Sequence, residues 1–448
     1  MILPLLLCLP LMTTPTAAFE VEDGWNEATQ EAVQFLLKAQ EGIDEETVSG
    51  EWPYEGVYRE RGQIPPGYRV GGTAIVLRAL IETLPVKKIR LDAADPINVA
   101  LRRGLNFLLA ESCKGPAMGV GFNRGYDVRD WGHIEALETL LRLQQMKKIP
   151  ESLLADVQTR TRELIDILVA NEIPGGGWNY SRSRRRNASS PASPFMTGPA
   201  VMALLRARDL GYPFDGNVVI RALKTIEEAR IESGAIQYST QPERATGEVF
   251  EALEGACARM AVSELALYHA GMNDLDQVRF AVKAFFDHWK WLERRRAQTG
   301  THNPPFYIAP YYFFYAHLHT ARAIRVLPEK EQKAARSRLL ELMWQVRDKE
   351  GTWNDRVFPR SAAYGTAMTL MALHSPKIPL PAKVDLDELK QWGNMKKGAT
   401  KEKAEEVEAE VQVNNFQKVS FVHTFILIVK MIDGVGKLLR SLLKNTSI

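Results

Sequence analysis

The apolar positions along the chain recur at intervals of three and four, the spacing of one helix face. Segments such as EAVQFLLKAQ, LRRGLNFLLAES, TRELIDILVANE and LLELMWQVRDKE follow this pattern and predict amphipathic helices. Between them lie runs of a second type, including TAIVLRALIETL, PAVMALLRARDL and TAMTLMALH, which are rich in Ala and Leu and apolar almost all round. A short Gly/aromatic turn separates the two types, as at Gly50-Glu51-Trp52, Gly121-Phe122-Asn123, Gly177-Trp178-Asn179-Tyr180, Gly234-Ala235-Ile236-Gln237-Tyr238 and Gly351-Thr352-Trp353-Asn354. The turn near Gly300 to Tyr307 is degenerate.

Six copies of this helix-turn-helix unit are found, roughly 50 to 66 residues apart. The second helices are expected to open at Gly72, Gly132, Gly198, Gly255, Ala316 and Gly365. One polar-faced helix and one nearly apolar helix per repeat predict an outer and an inner ring. No single repeat can bury its own apolar face, so neighbours must pack side by side. Inner helices this apolar could not line an exposed concave surface, which favours closure over an open solenoid. The predicted fold is all-α: a single (α/α)6 toroid of six helix-turn-helix repeats, with a C-terminal helical extension. Strand alternation with hairpin turns is largely missing.

The 448 residues are 45% hydrophobic and 25% charged, with a formal net charge of +3, the profile of an ordinary globular protein. Charge so near balance gives no field for a polyanion, and no nucleic-acid partner is expected. Residues 1–18, MILPLLLCLPLMTTPTAA, resemble a signal peptide closing on small residues, which predicts export to the periplasm or beyond. Once Cys8 is removed with that segment, Cys113 and Cys257 allow one disulfide at most. The toroid is expected over 19–380. Residues 381–448 are read as a charged linker, KKGATKEKAEEVEAE, followed by an amphipathic helix around VSFVHTFILIVKMI that packs on the barrel or touches a membrane peripherally.

The segments QFLLKAQEG, ILVANEIPGGGWNYS and MWQVRDKEGTWND resemble the glutamine-tryptophan repeats of squalene-hopene cyclases and the related prenyltransferase and squalene oxidase repeat proteins. Gln40, Trp52, Gly177, Trp178, Gly351 and Trp353 carry the match, and YYFFYAHLHTARAI through YGTAMTLMAL is similar to single-barrel bacterial members of the terpenoid cyclase superfamily. The resemblance spans roughly residues 25 to 375. It implies an apolar or isoprenoid ligand in the barrel. Such cyclases protonate a polyene with a DxDD motif, because an alkene needs a strong acid in an apolar, aromatic-lined cavity. This sequence has no DxDD and no DDxxD.

The nearest acidic substitute is Asp127-Val128-Arg129-Asp130-Trp131, which makes Asp127, Asp130 and His133 the candidate acid/base group. Asp130 is also suited to cap a helix or pair with Arg129. Trp131, Tyr311, Tyr315, His317 and Tyr364 are the candidate substrate-binding residues, since they stand ahead of or early in inner helices; His133, His317 and His319 are equally suited to structural hydrogen bonds. Glu254 and Cys257 lack the spacing of the zinc ligands of protein prenyltransferases, and no metal or cofactor is expected. The basic run Arg182 to Arg186 suits an anionic group or simple solvation. Three readings of function stand: an isoprenoid cyclase-like enzyme, a noncatalytic ligand- or protein-binding toroid, and an α/α-barrel enzyme acting on polysaccharide.

Overall fold

The computed structural model describes residues 17–120, 128–180, 183–185, 188–189, 191–239 and 252–392. The helices are α1 (Ala17–Lys38), α2 (Pro66–Thr83), α3 (Pro96–Glu111), the single turn α4 (Gly115–Met118), α5 (Arg129–Gln145), α6 (Glu151–Ala170) and α7 (Pro194–Asp209). They continue with α8 (Asn217–Glu228), α9 (Leu253–His269), α10 (Leu275–Arg295), α11 (Tyr312–Ile324), α12 (Glu329–Trp344) and α13 (Ser361–His374). Strand is confined, among the described residues, to two small antiparallel hairpins, β1 (Glu41–Asp44) with β2 (Ser49–Glu51) and β3 (Ser183–Arg185) with β4 (Ala188–Ser189).

Helices α2, α5, α7, α9, α11 and α13 pack each against the next, and α13 packs back on α2, so the inner ring closes. Around it, α1, α3, α6, α8, α10 and α12 lie against α13, α2, α5, α7, α9 and α11 respectively. The two helix classes read from the hydrophobic pattern correspond to the two rings. In α13 every residue from Ser361 to Leu373 is buried, whereas α12 buries only Leu339, Leu342 and Met343.

The turn tryptophans explain why each repeat holds together. Trp52, Trp178 and Trp353 are fully buried. Each indole N–H donates to a carbonyl of an outer helix, Leu36 O at 2.6 Å, Leu168 O at 2.8 Å and Met343 O at 2.8 Å. Each tryptophan backbone N–H donates to a threonine hydroxyl of an inner helix, Thr73 at 2.9 Å, Thr197 at 3.1 Å and Thr366 at 3.1 Å. One residue therefore ties outer helix, turn and inner helix, while burying a large ring. Gln40 adds a bond to Ala100 O, joining the first turn to α3.

The inner helices begin before the expected glycines, at Pro66, Arg129, Pro194, Leu253, Tyr312 and Ser361. Pro66 and Pro194 occupy the first helical position, where a missing N–H costs nothing. Gly72 and Gly365 mark close approach within the helix: a Cβ there would lie 2.5 Å from Trp52 O and 2.3 Å from Trp353 O.

The compact unit extends to Lys390, past the expected boundary at 380. After α13 the chain crosses the C-terminal ends of the inner helices as a strap. Arg325, Arg206 and Arg208 donate to the carbonyls of Ile378, Pro379 and Ala382. Ala382 N–H donates to Asp209 at 2.7 Å and Val384 N–H to His269 O at 2.8 Å. Residues 381–390 thus serve the barrel rather than a linker. The charged run and the apolar block that follow, like most of the leader-like segment, lie outside the described residues. No described helix is long and apolar enough to cross a membrane. Cys113 and Cys257 are both free thiols, and burial pushes Cys257 up to about 12.

Candidate functional site at the N-terminal end of the inner ring

The first turns of the inner helices bring aromatic rings together. Tyr54, from the turn before α2, meets Tyr364 of α13 at 4.8 Å between ring centroids, Tyr68 of α2 at 5.3 Å and Trp131 of α5 at 5.9 Å. Gly71 makes room for Trp131: a Cβ there would fall 2.3 Å from the indole ring. A second group gathers on Phe195 of α7, which lies 4.3 Å from Tyr315, 4.8 Å from Tyr312 and 5.5 Å from Tyr311. Tyr364 joins the groups by donating its hydroxyl to Tyr311 O at 3.2 Å. Tyr315 donates to Phe195 O at 2.8 Å. The tilted and edge-on ring geometries suit the quadrupoles of packed aromatics.

One carboxyl belongs to this cluster. Two residues after the turn tryptophan, the first repeat has Tyr54, the third Tyr180 and the sixth Asp355; the fourth, with Ile236 in the tryptophan position, has Tyr238. Asp355 is fully buried. Its Oδ2 accepts from the Tyr54 hydroxyl at 3.1 Å, and Tyr54 in turn accepts from Arg356 Nε at 3.3 Å. Among the described residues Oδ1 has no hydrogen-bond partner. Burial pushes the Asp355 carboxyl up to about 7, against the opposing pull of Arg356, the Tyr54 hydroxyl and Arg296. The site therefore holds a carboxylic acid that is protonated through the mildly acidic range, touching the aromatic cluster through Tyr54.

A relay lies nearby. Tyr180 donates to the Tyr311 hydroxyl at 2.8 Å, and the Tyr311 hydroxyl is 3.4 Å from His302 Nε2. His302 Nδ1 is 2.8 Å from Tyr307 O, so Nδ1 carries the proton and Nε2 is the acceptor. Burial lowers the His302 pKa and keeps the ring neutral. The guanidinium of Arg356 stands 5.6 Å from the Tyr311 ring centre, linking relay and carboxyl.

Of the residues singled out in the sequence, Trp131, Tyr311, Tyr315 and Tyr364 are brought together here. Asp130, His133 and His317 are not among them. Asp130 Oδ1 accepts from Asn171 Nδ2 at 2.7 Å at the end of α6 and lies 3.3 Å from His133 Nδ1. His133 Nε2 is 2.7 Å from Met118 O of α4. The helix cap is Val128, and Asp130 sits inside the first turn. His317 Nδ1 donates to Phe313 O of its own helix at 2.7 Å while Nε2 accepts from the Trp289 indole of α10 at 2.9 Å, which consumes both nitrogens. Asp127 lies outside the described residues, as do the side chains of Arg182 to Arg186. No group of three or more candidate metal-ligating side chains occurs among the described residues. Asp355, Tyr54 and His302 were missed by sequence reading. Asp355 stands where three other repeats place a ring, a signal available only after the turns are aligned on the tryptophan position.

The opposite end of the inner ring is built from charge. Arg78 Nη2 meets Glu135 at 2.6 Å and its Nη1 lies 3.6 Å from Glu138. Arg206 Nε lies 3.4 Å from Glu138, and Arg142 Nε 3.5 Å from Glu82. All six side chains are buried. Burial raises the Glu135 pKa in spite of Arg78; burial also works against charge on Glu138, but Arg206, Arg322 and Arg78 together hold it below the ordinary value.

No protein-family profile and no curated relative matches the chain. Similar solved structures include a type II terpene cyclase from Scytonema in complex with geranylgeranyl dihydroxybenzoate, at 16% identity and a TM-score of 0.47, covering 80% of this chain and 98% of that one. Others are a GH76 alpha-mannanase from Bacteroides thetaiotaomicron (14% identity, TM-score 0.48, 79% and 96% covered) and a D-mannose isomerase (13% identity, TM-score 0.47, 83% and 100% covered). These likenesses assign neither a reaction nor a residue, and the closed inner ring decides the fold. The chain is an α/α toroid. Its architecture is the one implied by the resemblance of its turns to glutamine-tryptophan repeats, and its toroid axis separates an aromatic end from a charged one.

Proposed function

We propose that the toroid is an exported, terpenoid-cyclase-like protein that holds an isoprenoid or similar apolar alkene against its aromatic end, with Asp355 as the acid. The observation that carries this reading is the Asp355 carboxyl: buried, raised to about 7, bonded on one oxygen by Tyr54 and, among the described residues, without a partner on the other. A protonated carboxyl in an aromatic, water-poor setting is the arrangement alkene protonation needs. The proton passes from Asp355 to a terminal alkene carbon, the alkene π pair forms the new C–H bond, and a tertiary cation remains. The aspartate left behind is stabilised by the Tyr54 hydroxyl and the neighbouring Arg356 charge. The faces of Trp131, Tyr311 and Tyr364 favour the cation, and loss of a proton toward Tyr311 and neutral His302 ends the sequence as a net isomerisation.

In this reading Asp130, His133 and His317 are structural: each is occupied by partners on elements outside the inner ring. The test is to incubate purified protein with a panel of polyprenols and prenylated arenes and to analyse the extracts. The wild type is expected to give a rearranged product that Asp355→Asn does not, with Asp130→Asn retaining turnover. Turnover unaffected by Asp355→Asn would overturn the assignment, and an unchanged panel with saturable ligand binding would leave a noncatalytic carrier.

A further inference from the structure

A cavity of about 1070 Å³ lies outside the inner ring, in the wedge between α1, α12 and the C-terminal ends of α2 and α13. Its apolar wall comes from Trp25, Leu340 and Leu373. Three of the side chains on its walls carry a buried polar atom with no hydrogen-bond partner among the described residues. Trp25 is 95% buried and its indole N–H has no acceptor; His374 Nε2 and the Thr83 hydroxyl, on the same wall, are likewise unsatisfied among the described residues. A buried donor left without an acceptor keeps its desolvation penalty unless a bound group supplies the missing bond.

Charge points the same way. Arg336 and Lys377 line the cavity, and among the described residues neither has a carboxylate within ion-pair distance. Arg336 gives one nitrogen to Leu373 O at 2.7 Å, and burial lowers its pKa with no acidic neighbour to restore it. The one acidic side chain on the wall, Glu341, is on the same helix as Arg338 and lies 3.9 Å from it. Arg69, Arg78, Arg221 and Arg230, by contrast, are each matched to a glutamate.

We propose that this cavity is a binding site for an anionic amphiphile, a single aliphatic chain ending in a carboxylate or phosphate. The head group is held by Arg336 and Lys377 and accepts from the Trp25 indole; the chain lies along Leu340 and Leu373. Two cations with no carboxylate partner among the described residues, an unsatisfied donor and an apolar wall in one cavity of ligand size are what such a molecule requires. The site is independent of Asp355 and of the reaction proposed for it.

The test uses dansyl-labelled undecanoate, with its methyl ester as the uncharged control, titrated into the full chain. Saturable binding of the acid is expected, with energy transfer from tryptophan, and with affinity about tenfold lower for the ester and for Arg336→Gln. Lys377→Gln, at an exposed position that folding does not need, should weaken the acid in the same direction, so a failure of Arg336→Gln to fold leaves the test intact. Dodecyl phosphate should displace the probe far below the concentration at which inorganic phosphate does. Equal affinity for acid and ester, no effect of Lys377→Gln, displacement by phosphate alone as effective as by dodecyl phosphate, or no saturable binding would each overturn the proposal.

Discussion

The two ends of the inner ring are made by the same six helices and differ in kind. Their N-terminal ends and the turns before them contribute rings and one carboxyl that burial keeps protonated; from their middle to their C-terminal ends they contribute Arg78, Arg142 and Arg206 paired with Glu82, Glu135 and Glu138, closed by the strap from Ile378 to Val384. The difference lies in how charge is settled. The charged end sets Arg78, Arg142 and Arg206 against Glu82, Glu135 and Glu138. The aromatic end leaves Asp355 with Tyr54 and an adjacent guanidinium, so the cheapest solution is to keep the proton. A paired ion is inert chemistry, while a buried proton with no fixed acceptor can be given away.

The largest effect is expected from breaking the charged end. Arg78→Met removes the partner of Glu135 and a neighbour of Glu138, leaving buried carboxylates uncompensated, and should cost about 3 to 5 kcal/mol in chemical denaturation. Glu135→Gln combined with Arg78→Met should recover part of that loss, which a packing defect at position 78 would not allow.

The aromatic end is sharpened by pH. Because the folded pKa of Asp355 lies above its unfolded value, the stability linked to it is full in acid and is lost as pH rises from about 4 through about 7. A shift of that size amounts to about 4 kcal/mol. Asp355→Asn should therefore be relatively more stable than the wild type at pH 8 and should lack this slope in thermal melts. His317 acts with the opposite sign: burial lowers it to about 4, so its contribution is lost as pH falls from the ordinary histidine range through that value.

Smaller effects test what holds each end together. Trp353→Phe leaves the buried carbonyl of Met343 without its donor and should cost about 1 to 3 kcal/mol, with Trp52→Phe and Trp178→Phe behaving alike because their bonds are alike. Asp209→Ala removes the acceptor of Ala382 N–H and should cost about 1 kcal/mol, with faster amide exchange confined to the strap.

Much of this was legible in the sequence. The two classes of helix and their closure into a ring followed from periodicity and from how few polar residues the second class carries, as α13 and α12 illustrate. Helix starts were placed late because Gly72 and Gly365 look like openings, whereas they are points where a turn backbone touches the helix wall. The rings Trp131, Tyr311, Tyr315 and Tyr364 drew notice because they precede or open inner helices, and the structure places them near one another. Asp355 was not, because its meaning depends on burial and on Tyr54, which is 301 residues away in the chain and 3.1 Å away in space. Asp130 and His133 drew notice through an acidic, histidine-containing run, yet helical geometry turns them toward α4 and α6. The strap was hidden because nothing local in PKIPLPAKVDLDELK announces that three arginines wait for its carbonyls.

The most direct test of the account is the protonation state of Asp355 itself. Infrared difference spectra between wild type and Asp355→Asn, recorded across pH in the folded protein, isolate the carbonyl stretch of that one carboxyl. The account predicts a protonated band at pH 6 that titrates with a midpoint near 7, and a carboxylate already ionised at pH 5 would contradict it.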